Sequence, residues 1–163
     1  MSIQPTIFAD TESSPAVWVR VEGKGTFQNS PGLKDFSRKL IADGRREIVV
    51  DLKDCPAMDS TFMGTLAGIA LRLREAGGGS LWVVNRNERN SDLLSGLGLD
   101  ALFAHDAPPV AVPSTGTAIE HSADKAMTRE VMRAAHEDCV VANPANAAAF
   151  KDVLEYLKGS AAK

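Results

Sequence analysis

The chain has two cysteines and three histidines among its 163 residues, and neither scarcity favours a metal or disulfide site. Cys55 and Cys139 lie far apart, so we expect two free thiols in a reducing compartment and no disulfide. His105, His121 and His136 do not pair with the cysteines at the spacing of zinc ligands. The sequence therefore predicts neither a metal site nor a cofactor.

The sequence also lacks a strong charge of one sign and long apolar runs. Its net charge is −3, so the basic footprint of a nucleic-acid-binding protein is absent. No apolar run reaches the roughly 18 residues needed to span a membrane. The N-terminus has no basic start followed by the apolar block of a secretory signal. We therefore expect a cytoplasmic protein that binds no nucleic acid and does not insert into a membrane.

Motifs of common enzyme classes are missing as well. There is no GxxxxGK[ST] phosphate loop, and the glycines at 77–79 follow a predicted helix instead of preceding one. No glycine-flanked nucleophile elbow surrounds Ser60. The histidines occur only at position 105 and beyond, so no base lies near Ser60 in the sequence. These absences favour a binding protein over an enzyme.

Apolar patterns predict strands and helices in alternation along the first two thirds of the chain. The predicted strands cover residues 3–8, 17–21, 48–52, 81–85 and 99–103. The predicted helices cover residues 31–43, 61–76 and 91–97. Strand 48–52 is almost continuously apolar, which is typical of a central strand. The order predicts an α/β fold, with a mixed sheet of four to five strands and helices packed mainly on one face.

The composition changes after Asp106, which suggests a division of the chain. Residues 1–106 form the predicted α/β domain, residues 107–122 a Pro/Ala-rich linker, and residues 123–163 a C-terminal helical hairpin. About 40 residues rarely fold alone, so the hairpin should dock on the domain, a second copy or a partner. It could be an autoinhibitory lid, a homodimerisation hairpin or a second docking site. We expect it to pack on the sheet face that the other helices leave bare.

The stretch Asp59-Ser60-Thr61 joins the central strand to an apolar helix. A helix N-terminus presents unpaired N–H groups and a partial positive charge, and can hold a phosphate, including one attached to a side chain. Ser60 is therefore a candidate phosphoacceptor or a simple N-cap, and Thr61 is a second candidate acceptor or a stabiliser of the first turn. Asp59 caps the same helix, aligns the Ser60 hydroxyl or contacts a kinase.

The helix after Ser60 has an unusual surface. The face expected to pack on the sheet consists of Phe62, Leu66, Ile69 and Leu73. A flank beside it consists of Met63, Ala67 and Leu71. Gly64 and Gly68 leave a shallow groove, and each glycine costs the helix up to about 1 kcal/mol. We expect another backbone to approach there, either from a partner protein or from a neighbouring helix.

These features, taken in order, resemble the STAS domain family, named for sulfate transporters and anti-sigma factor antagonists. The strand Val49-Val50-Asp51-Leu52 is followed by Met58-Asp59-Ser60-Thr61 and an apolar helix rich in small residues. The resemblance covers roughly residues 10–105. It includes the glycines at 77–79, the strand at 81–84 and the segment Leu93-Leu94-Ser95-Gly96-Leu97-Gly98-Leu99.

In the antagonist branch of this family, the hydroxyl residue after the Asp is phosphorylated by an anti-sigma factor that is also a serine kinase. The resemblance implies that Ser60 is this residue in a bacterial regulator of transcription. The unmodified protein would bind the kinase, phosphorylation would release it, and a serine phosphatase would reset the switch. The implied partner-binding residues are Asp59, Ser60, Thr61, Met63, Gly64, Ala67 and Leu71.

One position departs from the commonest family pattern. Many members have glycine two residues after the phosphoacceptor, whereas this chain has Phe62 there and its glycine at Gly64. Members with a bulky residue at this position include scaffold-type STAS proteins. The alternative function is therefore a constitutive STAS scaffold, or the small STAS subunit of a lipid-transporting ATPase complex.

Overall fold

The computed structural model describes residues 7–12, 16–108, 116–119 and 123–161. Its strands are β1 (Ile7–Asp10), β2 (Val17–Glu22), β3 (Glu47–Asp54), β4 (Ser80–Val84) and β5 (Thr117–Ala118). Its helices are α1 (Ser30–Ala42), α2 (Ser60–Glu75), α3 (Glu88–Gly96), α4 (Lys125–Ala142) and α5 (Asn146–Ala161). A short 3-10 helix, Asp100–Leu102, follows α3.

The strands form one mixed sheet in the order β4-β3-β2-β1-β5. Strand β3 pairs in parallel with β2 and β4, while β1 is antiparallel to β2 and β5. Each parallel pair requires a crossover, and α1 and α2 supply the two crossovers from β2 to β3 and from β3 to β4. The five residues predicted for the central strand, 48–52, lie inside β3 between two neighbouring strands, so that prediction is confirmed.

Most of the core lies between the sheet and one layer of helices. Its fully buried side chains include Val19, Leu33, Val50, Phe62, Leu66 and Leu94, from β2, α1, β3, α2 and α3. The opposite face of the sheet holds a smaller cluster made of Ala16, Trp18, Val49 and Trp82. The helices that follow the strands therefore cover one face, and the predicted α/β architecture is confirmed.

The predicted seat of the C-terminal hairpin is wrong. Helix α4 packs against α2 and α1, on the helix layer and not on the bare sheet face. Cys139 of α4 belongs to the same buried cluster as the residues of α2. The physical reason is complementary size, because the buried stripe of α4 includes the small residues Ala135 and Cys139 while α2 offers Gly64 and Gly68. Small residues on both helices let the two backbones approach closely.

The predicted strand at residues 99–103 is also wrong, since Asp100–Leu102 forms a 3-10 helix. The Asp100 carboxylate accepts hydrogen bonds from the side chains of Ser95 and Arg86. These bonds hold the chain in a tight turn after Gly98, whose φ of +69° suits glycine. An apolar run of this length does not distinguish a strand from a short helix.

Parts of the terminal and linker predictions lie outside the described residues. The first strand begins at Ile7, and residues 3–6 of the predicted 3–8 strand are not among those described. Most of the predicted linker, including His121, is likewise outside them. Within the linker range, Thr117 and Ala118 form β5, which pairs with Phe8 and Ala9 at the edge of the sheet.

Candidate functional site

Asp59 fixes the start of α2. Its Oδ1 accepts a hydrogen bond from the Phe62 backbone N–H at 2.8 Å, and its Oδ2 accepts one from the Phe27 N–H at 2.8 Å. Its own N–H donates to the Gly25 carbonyl at 2.9 Å. Both carboxylate oxygens therefore bind backbone groups, one in the helix and one in the loop before α1. Asp59 is the N-cap of α2, and it ties that helix to the neighbouring loop.

Ser60 is the first residue of α2, and its hydroxyl faces a histidine. The Ser60 Oγ lies 2.9 Å from Nε2 of His136, a residue of α4 that is 76 positions away in the sequence. The His136 Nδ1 lies 2.6 Å from the Met132 carbonyl oxygen, which can only accept a hydrogen bond. In the neutral imidazole Nδ1–H therefore donates to that oxygen, and Nε2 accepts from the Ser60 hydroxyl.

His136 is the site residue that sequence reasoning missed. It lies 76 positions from Ser60 in the sequence, whereas the structure buries it against Ser60 and places its ring edge-on to Phe150 at 4.8 Å. The available signal was a histidine adjoining the apolar stripe of an amphipathic helix. That signal indicates burial, but it does not say which residue of the domain the histidine contacts.

Residues spaced by four on α2 form a groove that α4 fills; we call Ser60, Gly64, Gly68 and Arg72 the α2 groove. A Cβ atom on Gly64 would lie 2.2 Å from the Ala135 carbonyl oxygen, and one on Gly68 would lie 2.5 Å from Oδ2 of Asp138. Arg72 Nη2 lies 3.3 Å from the same Asp138 oxygen. The predicted close backbone approach is therefore made at Gly64 by α4 of the same chain, whereas the near atom at Gly68 is a side-chain oxygen of α4.

The predicted partner-binding residues share the first three turns of α2 and its cap, but most are covered. Asp59, Ser60 and Leu71 are half-buried. The remaining ones, Thr61, Met63, Gly64 and Ala67, are buried. In this closed arrangement a partner protein could reach only the edge of the surface.

Charged residues surround the far end of the groove. A cavity of about 370 Å³ between α1, α2 and α4 is lined by Lys34, Arg38, Arg72 and Asp138, among others. Burial lowers the pKa of the Lys34 ammonium, and the attraction of Asp138 opposes this only in part. Burial raises the pKa of the Asp138 carboxyl, although its ion pair with Arg72 acts in the other direction. The charged side chains that line this cavity are therefore three cations and one carboxylate.

Both cysteines are free and buried, as expected from their spacing. Burial raises the pKa of the Cys55 thiol, and it raises the pKa of Cys139 to about 12. Both thiols are therefore poor nucleophiles in the folded chain. Among the described residues, no group of three or more His, Cys, Asp and Glu side chains is arranged to hold a metal ion. None of the helices described is both long enough and apolar enough to cross a membrane.

Comparison with known proteins identifies the family of this chain. A family model for the STAS domain matches residues 8–112, which span β1 to α3 and end before α4 begins. A sequence comparison with curated proteins finds no significant match.

Solved structures give the same fold. One is the crystal structure of TM1081, a candidate anti-sigma factor antagonist from Thermotoga maritima, with 22% identity and a TM-score of 0.52 over 55% of this chain and 77% of that one. The NMR structure of TM1081 has 20% identity and a TM-score of 0.54 over 63% and 82% of the two chains. The phosphorylated Bacillus cell fate determinant SpoIIAA has 18% identity and a TM-score of 0.51 over 62% and 91%.

At these identities the solved structures establish the fold alone. The family model itself covers well over half of the chain, and it includes the cap Asp59, Ser60 and the whole of α2. Helix α4, which covers the α2 groove, and helix α5 lie outside the matched range. The chain therefore belongs to the STAS domain family, with a C-terminal helical segment added to the family domain.

Proposed function

We propose that the protein is a phosphorylation-switched binding regulator of the anti-sigma factor antagonist type. Unmodified, it binds a serine kinase that is also an anti-sigma factor, and phosphorylation of Ser60 releases that partner. A serine phosphatase resets the switch, which regulates transcription in the bacterial cytoplasm. The observation that carries the proposal lies at the start of α2. Asp59 caps this helix, so the Ser60 hydroxyl is not needed as the cap.

The helix start can accommodate a phosphate without loss of the fold. A phosphoserine carries close to two negative charges at neutral pH. At the first position of α2 the partial positive charge of the helix N-terminus favours this charge, whereas the Asp59 carboxylate opposes it. The Asp59 carboxylate accepts its hydrogen bonds from the N–H groups of Phe62 and Phe27, and the Ser60 side chain takes no part in them. Modification of Ser60 therefore leaves the cap of α2 in place, and its effect falls on the contact with His136 of α4.

Release of the partner follows from desolvation. The face of α2 beside Ser60 is made of small and apolar groups, including Met63, Gly64 and Ala67, which are buried in the closed chain. A partner that packs on these groups must remove water from whatever Ser60 carries. The neutral hydroxyl needs only one hydrogen-bond partner, whereas a phosphate dianion loses several kcal/mol or more unless it is matched by cations. Phosphorylation thus opposes binding while the protein stays folded.

The Ser60–His136 pair favours one competing function, since a serine beside a histidine can be a nucleophile with its base. In a hydrolytic triad a carboxylate would orient the histidine through Nδ1. Here the Met132 backbone carbonyl takes that position, and the pair lies at the packed interface between α2 and α4. We therefore assign the pair a structural role. Equal rates of p-nitrophenyl acetate hydrolysis by the wild type and Ser60→Ala are expected.

The test is mass spectrometry of the protein purified from its own cells with phosphatases blocked. A phosphate on Ser60 in at least one growth condition is the expected result. Pull-down with Ser60→Ala should then retain the kinase, and Ser60→Asp should lose it. Ser91→Ala, which changes a half-buried serine on α3, is the matched control and should behave like the wild type.

The contrary result is equally definite. An unmodified Ser60 in every condition, together with a partner that binds wild type and Ser60→Asp equally, would overturn the switch. It would favour the constitutive scaffold or the lipid-transport subunit. A phosphate on Thr61 alone would move the switch by one residue to the second candidate acceptor, and Thr61→Ala would then replace Ser60→Ala as the pull-down bait.

A further inference from the structure

Helix α4 sits on α2 in the way that a bound partner helix would. Four contacts define the seat: His136 on Ser60, Ala135 over Gly64, and Asp138 on both Gly68 and Arg72. They follow one line along α2, at a spacing of four residues. The contacting residues of α4 are close together in sequence, so about one turn of a helix supplies all of them.

Three chemical features make the seat selective. A Cβ on Gly64 would lie 2.2 Å from the Ala135 carbonyl oxygen and 2.8 Å from the Ala135 Cβ, so the docked helix must bring a small residue to this point. The carboxylate of Asp138 meets Arg72 and lies in the same cavity as Lys34 and Arg38. The Ser60 hydroxyl donates a hydrogen bond to Nε2 of His136. A helix without a small residue and an acid three positions later would not fit.

We propose that the α2 groove is a helix-docking surface that α4 occupies in the closed chain, and that a partner protein takes it by inserting a helix of the same chemistry. That helix carries a small residue followed three positions later by an Asp or Glu. The partner binds by displacing α4. The identity of the partner as the kinase rests on the proposed function, but the docking surface and its occupant do not.

The closed chain has the properties of such a competitor. Helices α4 and α5 lie outside the range matched by the STAS family model, and among the described residues they contribute one fully buried member, Cys139, to the main core cluster. The packing of α4 on α2 also carries an energetic cost, because burial raises the pKa of Asp138 despite its ion pair with Arg72. A carboxylate that is costly to bury limits the stability of the closed state, although it selects the register. An occupant held in this way can be exchanged.

The first test uses a labelled synthetic peptide of residues 123–143 as the probe, added to the full-length chain. Wild type should bind it weakly, because α4 fills the groove. Ala135→Arg places a long side chain against Gly64, unseats the chain's own α4 and leaves α2 intact. This variant should bind the peptide at least about tenfold more tightly, as expected when the competent fraction rises. A peptide carrying Asp138→Lys is the matched control and should bind several-fold more weakly, since it repels Arg72.

The second test needs no variant and covers the case in which Ala135→Arg does not fold. Cys139 of α4 and Cys55 of the domain are both buried, so each reacts with an alkylating reagent only when its surroundings open. Local opening of α4 exposes Cys139 alone. We expect Cys139 to be alkylated at least about tenfold faster than Cys55 under native conditions, as for a segment that opens independently of the domain.

The results that would overturn the proposal are distinct from those that would overturn the switch. Equal alkylation of Cys139 and Cys55 would mean that α4 leaves only on global unfolding. A folded Ala135→Arg chain that does not bind the peptide, or binds the Asp138→Lys peptide equally well, would remove the helix-docking role. Absence of phosphate on Ser60 removes the proposed function but leaves peptide binding and thiol alkylation unchanged.

Discussion

Gly64 of α2 and Ala135 of α4 meet with no room for a side chain between them. A Cβ on Gly64 would lie 2.2 Å from the Ala135 carbonyl oxygen and 2.5 Å from its carbonyl carbon. Both atoms belong to the backbone of a helix, so they cannot move aside by a change of rotamer. This contact explains why a glycine stands inside α2 despite its unfavourable helix propensity.

Gly64→Ala should therefore weaken the packing of α4 on α2. Relief of the glycine penalty favours the α2 helix by up to about 1 kcal/mol, but the clash with α4 costs about 1–3 kcal/mol. We expect faster amide exchange throughout α4 and little change in β3, measured by hydrogen exchange with mass spectrometry. Gly96→Ala, where a Cβ would meet nothing within 4 Å, is the matched control. Unchanged exchange in α4 would show that the two helices are not in contact in solution.

The Ser60–His136 hydrogen bond should be measurable as a coupling between the two side chains. Ser60→Ala and His136→Ala each remove it, and His136→Ala also removes the packing on Phe150. A double-mutant cycle cancels the packing effect and should leave a coupling of about 0.5–1.5 kcal/mol in the free energy of unfolding. Zero coupling in urea denaturation would mean that the bond does not form.

Removal of the N-caps of α2 and α4 should destabilise two different parts of the chain. Asp59 caps α2, while Asp124 caps α4 by accepting a hydrogen bond from the Met127 N–H at 2.7 Å. Asp59→Ala should lower the free energy of unfolding of the domain by about 1–2 kcal/mol, because the N–H groups of Phe62 and Phe27 lose their acceptor. Asp124→Ala should mainly increase amide exchange in α4. Asp59→Asn, which keeps an acceptor oxygen, should recover part of the loss.

Acid should weaken the turn at Asp100. Burial alone would raise the pKa of this carboxyl, but hydrogen bonds from Ser95 and Arg86 outweigh it and hold the pKa below its usual value. A lowered pKa in the folded state gives stability that is present above the ordinary carboxyl pKa of about 3.9 and is lost as the pH falls through the folded value. Asp100→Asn should therefore destabilise the protein at pH 7 and have a smaller effect below about pH 4.

The Asp100 prediction can be checked on the carboxyl itself. NMR titration should show a higher pKa for Asp100 in Ser95→Ala than in the wild type, because one donor to the ionised form has been removed. Equal values in the two proteins would mean that Ser95 does not bind the carboxylate in solution.

The errors of the sequence prediction have physical causes. The segment 99–103 is apolar enough for a strand, but the side-chain bonds of Asp100 and the positive φ of Gly98 turn it into a 3-10 helix. The two-residue strand β5 falls in a stretch rich in proline and alanine, and it exists because the edge of β1 offers unpaired backbone groups. Neither outcome is encoded in the local periodicity.

The sequence by itself determined the α/β order, the central strand β3, and the sheet-facing side of α2, because alternation and helical spacing are local properties of the chain. It also located Asp59 and Ser60 at a helix start, where a cap and a phosphoacceptor are chemically favourable. Only the tertiary structure decided that α4 lies in the α2 groove with His136 on Ser60. An amphipathic stripe says that a helix is buried, whereas the surface that buries it depends on the fit of side chains far apart in sequence.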